Sequence, residues 1–559
     1  MHIEPKDAKR LYGEAKSIRA PHEHDMRMAS AYCLPWDYSA WQSDGPANVQ
    51  GMSGARRIMY DSTGVRSLPK YVAILQRIAT PDGQRWHNLR PSDVALRSKT
   101  RVRDYFDQLN DLLFRYRYNP TAGFISASGE MYGSLGAYGN APLYIGQRKP
   151  KTRSQQPGLR YKACPIRDVF FLTDDEGEVV IIFRRFWLNV RQFMVKFPGN
   201  PLPKCMTQGM TGQTIPNENK YFEFVHIVTY RDQMEYDPQA LDARRHPVVG
   251  VYLSVESEEY IGKEIGYQSL PYKIPRTTTV AGNPYGYAPA TQAMSALGGA
   301  STMKKTQLKQ GQKAVDPVLL AHDDGVLNGE VDLRPGAINY GGVDSQGRKR
   351  IQALDTGDFR VSEVLIDNER KDIEDSFFVT LFQILTETPE MTATEVVERV
   401  AEKAALLAPT MGRLQTEFLG PLIEREIDIL TELGVMPPMP PELIEARGEY
   451  EVVYTSPMAK GMYAEEVSGF MRSFEFAMNA ANATQDPSHL DHFELDVAIP
   501  EISDYMAVPA RWLASEDSVK KKREDRNQQM QQQQLMQNAP ALASAAKTAS
   551  EMQGADNAG

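Results

Sequence analysis

Cysteine is scarce. The chain has three, Cys33, Cys164 and Cys205, too few and too scattered for a disulfide framework, which fits a reducing compartment. No cysteine or histidine spacing matches a zinc module. The opening residues, MHIEPKDAKRLYGEAK, lack the apolar stretch of a signal peptide. Long apolar runs are missing too. The longest uncharged run, Thr277–Met303, has the length to cross a bilayer, but its Gly, Pro, Ser, Thr and Gln disfavour insertion. Positive charge is not in excess: 63 Lys and Arg face 72 Asp and Glu, a net −9. That sign argues against a simple nucleic-acid coat, while leaving room for a protein that touches DNA without gripping it. There is no G-x-x-x-x-G-K-[ST] phosphate cradle and no G-x-S-x-G elbow. Two histidine pairs, His22/His24 and His489/His492, each offer two metal ligands without a third nearby, and read as surface or cap histidines. The acidic run Asp174–Glu178 reads as a solvated hairpin turn rather than a cation site. A chain of 559 residues with no catalytic constellation leans towards structure or assembly.

What is present is patterned. The length suggests three or four domains, or one large irregular one. Residues 1–35 carry Ala8, Leu11, Ala15 and Ile18 at helical spacing. A Gly/Ser/Asp-rich stretch, Ser43–Gly54, precedes a helical segment over Ala55–Ala79, and Pro81-Asp82-Gly83 is a turn. Residues 100–118 place Val102, Phe106, Leu109, Leu112 and Leu113 on one side of a helix. Residues 160–270 are β-branched and aromatic with turns between, an antiparallel β region whose hairpin tip is Asp174–Gly177. Pro289 suits a first helical turn, and Ala290–Val315 continues as helix. Residues 317–358 read as a small β module. Residues 360–386 read as a helix, polar first and apolar second. Thr392-Ala393-Thr394-Glu395 is a capping box opening a long helix with a seam at Val400, Ala404, Leu407, Met411, Leu414 and Phe418. Pro409 and Gly412 predict a kink in it, and Met436–Pro441 ends it. Residues 460–515 are mostly helical. The tail from Lys520 is basic, then Gln-rich, then Ala/Ser-rich, a composition of disordered or conditionally helical segments.

The order is the informative signal: β-rich region, helix, small β module, helix, loop, long helix, helical C-terminus. With several local motifs, it resembles bacteriophage portal proteins, most closely the head-to-tail connecting proteins of short-tailed phages related to T7. The motifs are Tyr60-Asp61-Ser62-Thr63-Gly64 with Thr80-Pro81 and Trp86-His87-Asn88-Leu89, then Pro284-Tyr285-Gly286-Tyr287-Ala288-Pro289. Met391-Thr392-Ala393-Thr394-Glu395-Val396 and Ser456-Pro457-Met458-Ala459 complete the set. Family tails vary, so the Gln-rich end is not mapped. The resemblance implies an α+β portal fold. Residues 1–284 would form the wing, 285–316 and 359–386 two stem helices, 317–358 the clip and 387–392 the tunnel loop. Residues 393–455 would be the long kinked helix and its connection, 456–520 a helical crown, and 521–559 a barrel or disordered tail. It also implies a non-enzymatic ring of twelve copies at one capsid vertex, without cofactor, assembled in the host cytoplasm and carried in the virion. Double-stranded DNA is packaged and ejected through such a ring. Its partners would be major capsid and scaffolding proteins, the terminase large subunit, and tail adaptor or tube proteins.

Physical reasoning supplies candidate contacts. Lys305, Lys309 and Lys313 lie four apart on the first stem helix, with Lys304 beside them; they either line a channel or pair with Asp367, Glu369, Asp372 and Glu374. An acidic conduit avoids the phosphate-binding sink that a basic wall would create. The loop Glu387, Thr388, Pro389, Glu390, Met391 and Thr392 would narrow the channel, its two acids suited to sliding, or would simply connect two helices. Arg348, Lys349 and Arg350 form the clip's basic patch, for an acidic partner or DNA. Lys520, Lys521, Lys522 and Arg523 would sit near packaged DNA, or cap a charged helix end. Phe377, Phe378, Leu381, Phe382 and Leu385 offer more apolar faces than one neighbour covers, as a helix between subunits would; a monomer's core helix is the alternative. Three rivals stand beside the portal reading: another virion ring or tail component, a metal-dependent hydrolase using His489 and His492, and a DNA-binding module acting through residues 520–559.

Overall fold

The computed structural model describes residues 4–41, 45–46, 54–97, 99–150, 157–208, 219–231, 236–237, 239–315, 319–321, 343, 345–349, 351–353, 359–380, 408–446, 448–455, 457–505 and 518–530. They divide into two units, Met1–Thr80 with Tyr118–Glu432, and Pro81–Arg117 with Leu433–Gly559.

The first unit is built on a five-stranded antiparallel sheet. Its strands, Val169–Thr173, Val179–Leu188, Phe222–Tyr230, Val248–Ser254 and Glu259–Tyr267, pair in chain order. The turn at Asp174–Glu178 closes by Asp174 N–H donating to the Glu178 carbonyl and by Gly177 at φ +83°, so the hairpin tip stands where the acidic run predicts it. Alternation along each strand gives the sheet two faces. One face takes the N-terminal helix Pro5–Cys33: Ala8, Tyr12 and Ala15 pack on Phe170, Phe183, Val225, Ile227 and Leu253. Burying each large side chain there contributes roughly 1.5–3 kcal/mol. The opposite face takes the short helix Val190–Lys196, opened by a capping box of Asn189 and Gln192. Its Val190 and Phe193 pack with Phe197, Met206, Phe222, Phe224 and Ile261. A second sheet of three strands, in the order Gly158–Ala163, Leu143–Arg148, Tyr272–Lys273, lies in the same unit.

Several helices depart from the sequence expectation. The segment expected as one helix over Ala55–Ala79 is a 3₁₀ turn, Ala55–Arg57, then a helix Thr63–Ala79. The break has a local cause: the Asp61 carboxylate accepts the Thr63 N–H, and Tyr60 N–H donates to Ser301 Oγ, so side chains take hydrogen bonds that a continuous helix would supply. The run from Pro289 divides into Pro289–Gln292 and Met294–Val315. The helix expected to Thr386 is helical over Phe359–Ser376 and then turns at Phe377–Phe378, with Phe378 at φ +58°. Phe377 and Val379 are buried within the one chain, and Tyr71 receives the rings of Phe377 and Phe378 at 6.1 and 6.3 Å. At these positions a single copy supplies the cover that was assigned to a neighbour; Leu381, Phe382 and Leu385 lie outside the described residues. In the long helix, Gln415–Leu419 is a π turn, and the turn before Pro409 lies outside the described residues. The capping box and the first part of that helix lie outside the described residues. The helix ends at Glu432, with Gly434 at φ +67° just beyond, ahead of the proline run. The helix Phe124–Tyr138, glycine-rich and weakly patterned, had no counterpart in the sequence reading.

The second unit joins distant segments. His87–Pro91 pairs antiparallel with Tyr450–Tyr454. The amphipathic helix Thr100–Arg117 buries all five of its expected residues, Val102, Phe106, Leu109, Leu112 and Leu113. Trp86 is fully buried beneath the Arg117 guanidinium, 4.5 Å from its ring. Thus residues 81–117, assigned with the wing from sequence, group with residues 433–559. Helices Pro457–Thr484 and Leu495–Tyr505 complete the unit, and residues 518–530 are helical.

Candidate functional site

The two segments expected to be stem helices contain helices that pack on each other, Met294–Val315 and Phe359–Ser376. Gly299 faces the second helix, where a Cβ would sit in ordinary contact, 3.4 Å from the Glu369 carboxyl. Ser301 bolts the first helix down, accepting from Tyr60 N–H and donating to the Ile58 carbonyl. The second helix is tied by Arg370, which donates twice to Asp61 at 2.8 and 3.0 Å, and by Glu374, 3.5 Å from Lys70. The same ion pair and the Thr63 contacts outweigh burial and hold the Asp61 carboxyl below its ordinary value.

Beyond Ser301 the first helix keeps one face exposed among the described residues. Lys305, Lys309 and Lys313 are exposed along one stripe, and Leu308 and Val315 are exposed beside them. Lys304 donates to Gln307, and Lys305 lies 5.2 Å from the Tyr60 ring. Among the described residues, none of the four pairs with Asp367, Glu369, Asp372 or Glu374. Asp367 is taken by Arg370 at 3.1 Å. The stripe is therefore open to whatever lies beside it.

The other sequence-derived residues do not converge on it within the described structure. Arg348 and Lys349 are exposed on a turn at the Val343–Lys349 bridge, and Arg348 donates to Gln346. Arg350 lies outside the described residues, as do Glu387, Thr388, Pro389, Glu390, Met391 and Thr392. Lys520, Lys521 and Lys522 are exposed on the last described helix, where Arg523 reaches Asp496 at 2.5 and 2.8 Å. Among the described residues, no group of three or more His, Cys, Asp or Glu is placed to hold a metal. His22 instead packs between Tyr285 and Tyr287, at 5.4 and 5.7 Å. No helix of the described residues is long and apolar enough to cross a membrane.

Three polar hubs were not foreseen from sequence. Arg19 is buried at helical spacing from Ala8, Tyr12 and Ala15. It donates to the carbonyls of Ile166, Arg167 and Val169, pairs with Glu23, and lies 3.7 Å from the Phe170 ring. A charge on the apolar face was its signal. Arg276 grips Glu417 from its backbone N–H and its guanidinium, and also donates to the carbonyls of Pro284 and Gly177. Glu417 sits in the π turn, and such turns recur where one side chain must be re-aimed. The third hub surrounds His226.

The profile of the family described as bacteriophage head to tail connecting protein matches residues 5–513. The chain belongs to that family. It is 26% identical over 511 residues to the "Probable portal protein" of Bordetella phage BPP-1, covering 89% of this chain and 86% of that one. It is 27% identical over 437 residues to the "Portal protein" of Salmonella phage epsilon15, covering 76% and 75%. The resemblance read from the motifs is thereby established, and the family is structural rather than enzymatic. Among solved structures, a chain in the virion of a native gene transfer agent particle aligns with TM-score 0.31 and 11% identity over 74% of this chain and 85% of that one. That likeness is too low to support any statement about the fold.

Proposed function

We propose that this chain is the subunit of a phage portal: a closed ring, of twelve copies, at one capsid vertex, through which double-stranded DNA is packaged and later ejected. The observation that carries the reading is the family match over residues 5–513. In this reading the chain nucleates head assembly among capsid and scaffolding proteins, docks the terminase large subunit, and then receives tail adaptor or tube proteins. It is made in the host cytoplasm and ends in the virion. Residues 1–284 supply the wing, 285–316 and 359–386 the stem, 317–358 the clip, 387–392 the tunnel loop, 393–455 the long helix and its connection, and 456–520 the crown.

The described stem supports this. Its helix Met294–Val315 is anchored through Ser301 and beyond it exposes one face. A helical face with exposed Leu308 and Val315 is suited to lateral contact in a ring, which is heterologous by geometry. Lys305, Lys309 and Lys313 would then repeat as rings of charge. Against an acidic chain of net −9, isolated lysine rings steer DNA without the strong phosphate affinity that would stall it.

Native mass spectrometry of the purified chain, with negative-stain imaging of the same sample, tests the proposal. A closed ring near twelve subunits with a central hole is the expected result. A stable monomer or dimer at concentrations where rings form would overturn it.

A further inference from the structure

The face of the five-stranded sheet opposite the N-terminal helix carries a polar rung. Arg184 pairs in register with His226, and His226 with Tyr252, so the three side chains project from the same face of adjacent strands. The three-stranded sheet contributes a second rung, because Lys162 pairs with Tyr144 and Tyr144 with Tyr272. Tyr272 joins the two. Its hydroxyl bonds Arg184 and lies 2.8 Å from His226 Nδ1. The His226 ring stacks on Tyr252 at 4.4 Å, and the Tyr144 ring lies 5.0 Å from that of Tyr272. From a third element comes Lys196, the last residue of its helix. Its amine is 3.2 Å from the Phe186 ring centroid and 5.2 Å from that of Tyr252.

Lys162, Arg184 and Lys196 thus converge from three elements. Among the described residues, none of them makes an ion pair. The charges acting on Lys196 are Arg184 and Lys162; those on Lys162 are Arg184, Cys164 and Arg160; those on His226 are Arg184 and Lys196. No carboxylate is among them. Burial and this mutual repulsion push the Lys196 amine down to about 7, although part of its side chain stays exposed. Cations gathered against each other without an acid are destabilising by themselves. Tyr272 is shared between two of these groups: its hydroxyl accepts from Arg184 and also hydrogen-bonds His226 Nδ1. His226 Nε2 is buried without a hydrogen-bond partner. Tyr272 gives Arg184 an acceptor, but no carboxylate acts on Lys162, Lys196 or His226.

We propose that this tyrosine-lined patch of Lys162, Arg184 and Lys196 binds a phosphate group, either as the free ion or as part of a single-stranded nucleic-acid backbone. A phosphate's charge and its several acceptor oxygens match one guanidinium, two amines and tyrosine hydroxyls more fully than one carboxylate does. The half-buried rings of Tyr144, Phe186 and Tyr252 beside the cations suit a flexible strand, on which bases stack while cations track the backbone. The assignment stands independently of the ring.

The experiment uses the full chain and three probes: inorganic phosphate by calorimetry, and a fluorescent oligothymidylate and a poly-glutamate of equal length by anisotropy. Lys162→Ala with Lys196→Ala removes two cations whose side chains are partly exposed, and circular dichroism of the double variant checks that it folds. The expected result is at least tenfold weaker binding of inorganic phosphate or of the oligothymidylate, restored by Lys162→Arg with Lys196→Arg. If the oligothymidylate is the ligand, its log–log salt slope also falls in magnitude by about 1.4, from roughly 0.7 per lost contact. Phosphate sensitivity alone identifies the free ion; oligothymidylate sensitivity alone identifies the strand. Unchanged binding of both probes in the double variant overturns the proposal. So does poly-glutamate binding as tightly as the oligothymidylate with the same loss, which would mark an acidic-protein surface instead.

Discussion

His226 offers a quantitative test of the five-stranded sheet. It is buried between Arg184, Tyr252 and Tyr272, and burial together with the charges of Arg184 and Lys196 pushes it down from 6.5 to about 3. The unfolded chain therefore takes up a proton well before the folded one does. Between those two values the unfolded state binds more protons, so stability falls as pH falls. The loss begins near the unfolded value and is complete only near 3. At about pH 5 the linkage amounts to roughly 2 kcal/mol, growing to about 5 kcal/mol once both states are protonated. Replacing His226 with Gln removes the titration while keeping a polar group for Tyr272. The assay is hydrogen exchange of the Phe222–Tyr230 amides, which reports the opening free energy of that strand, at about pH 7.5 and about pH 5 and at fixed protein concentration. Other groups titrate as well, so the quantity that matters is the difference between wild type and His226→Gln. The wild type should lose about 2 kcal/mol more than the variant. Equal losses in both would show that His226 does not stay neutral in the folded sheet, and the reasoning would fail.

Other perturbations are expected to be as legible. Gly139→Ala places a methyl 2.4 Å from the Gly286 carbonyl oxygen at a φ of +73°; the left-handed backbone and the clash together should cost about 3 kcal/mol, read by chemical denaturation. Phe377→Ala empties a fully buried site against Tyr71 and should cost roughly 3–5 kcal/mol, with faster exchange in Phe359–Ser376 as the readout. Glu417→Gln leaves the buried Arg276 cation with a neutral partner; a loss of about 3 kcal/mol is expected, and a loss below about 0.5 kcal/mol would mean that the π turn does not depend on this pair.

Some of this protein was decided within short stretches of sequence. Val102, Phe106, Leu109, Leu112 and Leu113 share one helical face in any context, and all five are buried. The Asp174–Gly177 tip closes through local hydrogen bonds, so local composition sufficed to predict it. The family too was legible, because its motifs are short and ordered along the chain, and the match over residues 5–513 agrees. Other features needed the folded chain, because their partners are remote. Pairing of His87–Pro91 with Tyr450–Tyr454 brings together strands with no local signal for each other. The helix containing Arg370 stops at Ser376 because Tyr71, three hundred residues away in the chain, receives both phenylalanines. The cations Lys162, Arg184 and Lys196 look like ordinary surface residues in sequence. Strand register sets Arg184 beside His226 and Lys162 beside Tyr144, and the packing of Tyr272 on both rungs brings them together. Periodicity tells which face of an element is apolar; only tertiary packing decides which distant groups that face will meet.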